Sequence, residues 1–334
     1  MNIAYNTDDN FVPQVCASIC SVCENNRSAD ELTFHILGAE LSQQSKDNLS
    51  KLVSSYGRDF RYYEIGDIKD HFSFSFDTLG WRPVILARLL IDKILPETVE
   101  RVIYLDGDTI VRGDISELDT LDMQGCPVAG VIEPTVNKKN LEKIGLAGHP
   151  YINSGVLVID AGMWRKEAVG DEIISYYASH DGRLFAPDQD AINGALKGRI
   201  LYISPTYNYC NNYDVYKYKT LVKIAKPVNY SDFVSEDTFS QANLNPKIIH
   251  YLGEERPWRK GNRHRFRGDF EKYLSMTPYK DMKFEDGWQT YFRCFYLFNG
   301  VVKICPLIWY RIITALIPVF MKYRKKQLAK EKNR

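Results

Sequence analysis

The sequence predicts an α/β protein built on a parallel sheet of the nucleotide-binding kind, and three observations carry that prediction. Strand and helix patterns alternate β-α-β-α-β through the first 65 residues. Later apolar strand runs end in polar or charged residues, and the carboxyl ends of strands are where open α/β sheets place ligands. A chain of 334 residues, 45% hydrophobic and 25% charged, suffices for one large core plus a small appendage.

The elements follow in order. Residues 2–6 read as a short strand closing in the polar loop Thr7-Asp8-Asp9-Asn10. Pro13 then introduces a helix with Cys16, Cys20 and Cys23 at i, i+4 and i+7 on one face. With no His or further Cys pair nearby, these read as buried thiols of a reducing cytosol in preference to a zinc site. Residues 32–37 form a second strand, Ser42 caps a helix through Leu49, Leu52 and Val53, and residues 60–65 form a third strand. No Gly-x-Gly-x-x-Gly follows the first strand and no Gly-Lys-Ser/Thr loop occurs, which argues against a dinucleotide cofactor and a P-loop NTPase. The aromatic stretch 71–80 fits either a sugar-stacking lid or packing beneath a helix. Pro83 is expected to open a helix carrying Ile85, Leu86, Leu89 and Leu90, with Arg88 among them. Residues 101–105 and 128–132 are buried strands, the second ending in Glu133. Asn153-Ser154-Gly155 runs into a β-branched strand reaching Asp160, and one helix spans roughly 164–178. Pro187-Asp188-Gln189-Asp190 opens a short helix through Ile192 and Leu196, and residues 200–203 are again strand. The tyrosines at 202, 207, 209, 213, 216 and 218 suit a carbohydrate-facing wall or a satellite core. Finally an apolar strand delivers His250, followed by Gly253 and Arg256.

Candidate chemistry gathers first at Asp106-Gly107-Asp108, where the apolar run 102–105 leaves the sheet. Alternate side chains of an extended segment point the same way, so two carboxylates one residue apart can share a cation. The same three residues also make an ordinary polar turn. A lone strand-end histidine such as His250 is, by itself, more often a hydrogen-bonded structural residue than a ligand.

Taken together, Asp106-Gly107-Asp108, Asn153-Ser154-Gly155, Asp188-Gln189-Asp190 and His250-Tyr251-Leu252-Gly253 resemble the motifs of glycosyltransferase family 8. That family contains bacterial lipopolysaccharide galactosyl- and glucosyltransferases and glycogenin. The resemblance covers residues 1–262 and implies a GT-A fold: a Rossmann-like, nucleotide-sugar-binding mixed sheet flanked by helices, with residues 263–334 as a C-terminal helical extension. It implies a retaining hexosyltransferase using UDP-glucose or UDP-galactose and Mn2+, or Mg2+, with an oligosaccharide or glycolipid acceptor. The resemblance makes Asp106, Asp108 and His250 the metal ligands, Asp8 and Asn10 the uracil and ribose contacts, and Arg88 a donor contact. It gives Asn153 and Asp188 the sugar hydroxyls, Gln189 the sugar face opposite the leaving group, and Glu133 the acceptor side. Gly253 and Arg256 fall in the diphosphate loop. Two positions depart from the family: Arg256 replaces a lysine, a planar fork in place of a point charge, and Ala87 replaces a tyrosine.

Residues 322–334 carry seven Lys/Arg against one Glu, and an interrupted apolar stretch at 304–321 precedes them. With Pro306, Arg311 and Pro318 inside it, that stretch is short for a membrane span. It reads as an interfacial helix on anionic lipid, its alternative being a packing arm. Deleting residues 290–334 is expected to release the protein from membranes. The opening residues Met1-Asn2-Ile3-Ala4-Tyr5 have neither a basic nor a long apolar segment, which reads against a signal peptide. The expected location is cytoplasmic, peripheral at the inner membrane face, with no nucleic-acid partner. The competing classes are a haloacid-dehalogenase-like phosphohydrolase, which also places Asp-x-Asp after a strand, and a non-catalytic nucleotide-sugar-binding protein. A calcium loop fails because Ile110 and Val111 stand where an oxygen ligand and a glycine are needed.

Overall fold

The computed structural model describes residues 1–302 and 304–331. Three strands open the chain, β1 (Asn2–Asp8), β2 (Thr33–Ala39) and β3 (Asp59–Glu64), and β4 (Arg101–Leu105) pairs with β1 on the side away from β2. The short β5 is Thr109–Val111. It is followed by β6 (Val128–Ile132), β7 (Ile152–Asp160), β8 (Ile200–Tyr202), β9 (Tyr209–Cys210) and β10 (Ile248–His250). The main sheet has seven strands in the order β3-β2-β1-β4-β7-β6-β8, all parallel except β7, which runs against both β4 and β6. A second sheet, β5-β10-β9, leans on it. The strand order changes direction between β1 and β4, and such a switch point opens a crevice beyond the strand ends. The reversal of β7 brings its start, Asn153-Ser154-Gly155, to the end of β4, where Asp106 N–H donates to Gly155 O at 2.8 Å.

Local chemistry explains most elements. Ser42 caps the helix Gln43–Ser55 by accepting from Ser45 N–H, and Pro13 stands in the first turn of the helix Val12–Asn25. That helix turns Val15, Cys16, Ile19, Val22 and Cys23 onto the sheet, and burial pushes the Cys23 thiol up to about 12.

Two expectations change, and two readings left open by the sequence resolve toward packing. Residues Pro83–Leu90 form a 3-10 helix that becomes α-helical only over Ile91–Ile94. In an α-helix the Val84 and Ile85 carbonyls would accept from within the helix. Here Asn6 Nδ2 takes the first at 2.7 Å and the Arg88 guanidinium the second at 3.1 Å. The helix expected over 164–178 is two helices, Ala161–Glu167 and Val169–Ser179, broken at Ala168, whose φ of 52° is left-handed. The aromatics of 71–80 face inward: Phe72 is buried, and Phe74 and Phe76 pack with it against Tyr177. The tyrosine-rich segment likewise serves as core, with Tyr209, Tyr213 and Tyr216 buried among Tyr230, Phe239 and Trp258.

The C-terminal extension contains the helices Gln289–Val302 and Pro306–Glu331. Phe292 and Trp309 are buried, and Tyr310 donates to Val136 O at 3.1 Å. Arg259 stacks on Trp288 with its guanidinium carbon 3.6 Å from the ring centre, and Lys325 pairs with Asp77. Backbone at Met321 and Lys325 also lies against Gly80. Among the described residues no helix is long and apolar enough to cross a membrane. Residues 332–334 of the basic tail lie outside the described residues.

Candidate active site

The site is assembled where β4, β7 and β10 meet. β10 pairs with β5 so that His250 sits opposite Thr109, and Tyr251 N–H donates to Asp108 O at 3.0 Å. A pairing between segments about 140 residues apart thereby sets the imidazole beside both aspartates, with Nε2 3.3 Å from Asp108 Oδ1 and 3.7 Å from Asp106 Oδ2. Close packing dictates two glycines here. A Cβ on Gly107 would approach Phe11 and Val15 to 2.8 Å, and a Cβ on Gly155 would enter the His250 ring. Gly155→Ala should therefore displace the imidazole and weaken divalent-ion binding at least about tenfold, read by Mn2+ titration of the folded variant.

Arg88 is the buried hub. Its NH2 donates to Asp106 Oδ1 at 2.7 Å, its NH1 to Ser154 O at 2.7 Å, and its Nε lies 3.2 Å from Asp188 Oδ2. The guanidinium stacks on Tyr104, whose single hydroxyl proton is shared between Asp106 Oδ1 at 2.9 Å and Asn6 Oδ1. Burial alone would lower the Arg88 pKa, but the charges of Asp106 and Asp188 raise it overall, so it stays a cation. Burial and then the neighbouring Asp108 lift Asp106 above the usual carboxylate range, against the opposing pull of Arg88. Burial also works upward on Asp108, but the hydrogen bond and charge of His250, with help from Arg256, hold it below that range. Burial would depress His250, whereas Asp108 and Asp106 together raise it.

The helix Pro187–Ala195 supplies the opposite wall. Asp188 accepts from Ser154 Oγ at 2.8 Å. Gln189 Oε1 accepts from Ser154 N–H at 2.9 Å, while its Nε2 donates to Tyr151 OH at 3.1 Å and to Glu133 at 3.4 Å. Burial raises the Glu133 carboxyl, which also accepts from Asn153 Nδ2 at 3.0 Å. Asp8 caps the turn Asp9–Phe11 by accepting from Asn10 N–H and pairs with Arg82 at 2.7 Å, while Asn10 is exposed at the end of β1. Gly253 turns the chain with φ 67° after β10. Arg256 then lies over Phe11 and Trp258, its Nε buried and without a hydrogen-bond partner among the described residues.

Contacts thus join Arg88, Asp106, Asp108, Glu133, Asn153, Asp188, Gln189 and His250 into one network, while Asp8, Asn10, Gly253 and Arg256 stand on other segments. The sequence reading passed over Asn208, Tyr151, Tyr104 and Asn6. Asn208 is hidden between two tyrosines and marked by no spacing, and Tyr104 and Asn6 read simply as strand residues. Asp106, Asp108 and His250 place ligand atoms within 4.8 Å of one another, the one such group found among the described residues. Two carboxylates and an imidazole make an O/N donor set suited to Mn2+ or Mg2+, and the glycine-cleared space and orphaned Arg256 Nε suit a cation with an anionic companion.

A mixed sheet with this switch-point crevice and acidic pair defines a GT-A glycosyltransferase. The chain superposes with a TM-score of 0.70 on the galactosyltransferase LgtC solved with donor and acceptor sugar analogs, covering 83% of this chain and 96% of that one at 21% identity. Over residues 2–261 it matches Glycosyl transferase family 8, and it belongs to that family. A lipopolysaccharide 1,2-glucosyltransferase of Escherichia coli K12 is 30% identical over 84% of this chain and 79% of its own length. General stress protein A of Bacillus subtilis is 25% identical over 84% of this chain and 94% of its own. The chain is a hexosyltransferase, and family membership sets aside the phosphohydrolase and binding-protein alternatives.

Proposed function

We propose that this enzyme transfers glucose or galactose from the UDP-hexose to an oligosaccharide or glycolipid acceptor of lipopolysaccharide or another cell-surface glycoconjugate, with retention of configuration. The observation that supports the reading most strongly is the convergence of Asp106, Asp108 and His250 beside the Arg88–Asp188 pair and Gln189. Mn2+, or Mg2+, held by Asp106, Asp108 and His250 supplies positive charge against the departing diphosphate. Arg256 adds a fixed cation on the same rim, and Gly253 lets its loop approach the phosphates. Asp8 and Asn10 take the uracil and ribose, and Asn153 and Asp188 hold the sugar hydroxyls. Arg88 keeps Asp106 and Asp188 apart and oriented, and Glu133 borders the acceptor. As the anomeric C–O bond to UDP breaks, the sugar becomes oxocarbenium-like. An acceptor oxygen bonds to the same face, and its proton passes to the departing phosphate oxygen. Gln189 is an amide whose carbonyl already accepts from Ser154 N–H, which favours front-side substitution over a glycosyl-enzyme. Screening UDP-sugars for Mn2+-dependent hydrolysis, then offering glycan acceptors to the preferred donor, tests the reading. Turnover of no UDP-hexose would sink it.

The same reading assigns residues 1–262 to catalysis and places the extension on the inner, anionic face of a membrane. Ile308, Ile312 and Leu316 support it: they recur every fourth residue on one helix and are about half exposed. Substituting all three with Asp should lower co-sedimentation with anionic vesicles by at least about tenfold, because each loses roughly 1.5–3 kcal/mol of apolar burial. Hydrolysis of the donor in solution should be unchanged.

A further inference from the structure

We propose that Asn208 is a positioning residue that selects the His250 tautomer able to bind a metal ion. The inference rests on the metal reading of Asp106, Asp108 and His250 and deepens it.

Gly155 N–H can only donate, and it reaches Asn153 Oδ1 at 2.9 Å, which settles which end of the Asn153 amide is oxygen. The other end, Asn153 Nδ2, donates to the Glu133 carboxylate at 3.0 Å, consistent with that orientation. The second partner of Asn153 Oδ1 must therefore be a donor, and it is Asn208 Nδ2 at 2.9 Å. With its nitrogen committed there, Asn208 turns its oxygen toward His250 Nδ1, also at 2.9 Å. A carbonyl oxygen only accepts, so Nδ1 carries a proton. Nε2, which faces Asp106 and Asp108, is then the nitrogen that gives up its proton and offers its lone pair when an ion binds.

The relay is shielded from water. Asn208 is 2% exposed, His250 3% and Asn153 8%, so no bulk solvent competes for these bonds, and reversing either amide would set oxygen against oxygen or N–H against N–H. β9 and β10 run parallel, with Cys210 beside His250, which holds Asn208 at the entry to β9 at a constant distance from the imidazole. A metal-bound histidine orientated through its other nitrogen is the usual arrangement of such sites. Here a buried amide does the orienting, and a backbone N–H two residues past Asn153 anchors it.

The test uses the full chain without donor or acceptor. Mn2+ is titrated into wild type, Asn208→Leu and Asn208→Asp, with folding checked by circular dichroism, and nitrogen NMR of labelled histidine reads the tautomer in the Mg2+-loaded proteins. Wild type should show the proton on Nδ1. Asn208→Leu should bind Mn2+ about 10–100-fold more weakly and lose that single tautomer. Asn208→Asp keeps an acceptor against Nδ1 at the loss of the bond to Asn153 Oδ1, and it should retain the Nδ1 proton and bind Mn2+ more tightly than Asn208→Leu. Equal Mn2+ affinity in wild type and folded Asn208→Leu would overturn the role of Asn208, as would a proton on Nε2 of the wild type. If the leucine variant does not fold, the aspartate variant decides: a proton kept on Nδ1 supports the inference and a proton on Nε2 overturns it. Failure of wild type itself to bind Mn2+ would overturn the metal reading, a separate result.

Discussion

Asp108→Ala should abolish metal-dependent sugar transfer while leaving the protein folded. Asp108 is the better of the two aspartates to test because it carries less structural duty. Asp106 accepts from both Arg88 and Tyr104, whereas the polar side-chain contact seen for Asp108 is His250. Asp108 is also held below the usual carboxylate range, so it is ionised at neutral pH and available to a cation. Losing a preorganised charge at a developing anion costs about 10²–10³ in kcat. The variant should therefore fall to the level of wild type in EDTA and fail to bind Mn2+ in titration, and Asp106→Ala should do the same. Activity of the wild type untouched by EDTA would remove the ion from the mechanism altogether.

Arg88→Met should be the most destabilising substitution in the crevice. It leaves Asp106 and Asp188 facing each other across a cavity without their shared cation, and breaking a buried pair by removing one partner costs about 3–5 kcal/mol. Urea denaturation at neutral pH reads the loss. The sign of its pH dependence follows from Asp106, whose folded pKa is already raised. A raised carboxyl contributes stability that is present at low pH and is lost as pH rises through the folded value. Without Arg88 that elevation grows, so the deficit of the variant should narrow as the pH falls from neutral toward the carboxylate range. A deficit that is constant with pH would mean that Arg88 acts by packing alone.

The sequence made the sheet legible because its strands are buried apolar runs with abrupt polar ends. For that reason β1, β2, β4, β6 and β7 were readable with their functional termini. It made the acidic pair legible through its spacing, and His250 only through the company of the other motifs. The short strands β5 and β9 were not legible: two or three residues carry no periodicity, and β8 and β10, as short as β5, showed only as apolar runs. The pairing that carries His250 to Asp108 was hidden with them. The 3-10 path of Pro83–Leu90 was equally invisible, because it goes with Asn6 of β1 reaching the Val84 carbonyl and the Arg88 side chain folding back onto Ile85 O. The tyrosines and the 71–80 aromatics left their direction open, and tertiary packing turned most of them inward.

The two terminal helices grip opposite banks of the crevice. One holds the segment just past Arg256, where Tyr296 OH accepts from Arg263 N–H at 2.7 Å, and the other holds the 77–80 bend that leads to Arg82 and Asp8. Removing residues 290–334 would therefore do two things at once, stripping the exposed apolar stripe and unfastening both banks. A shortened protein that lost activity could not be assigned to either cause, and only surface substitutions that spare Trp309, Tyr310 and Lys325 separate anchorage from bracing.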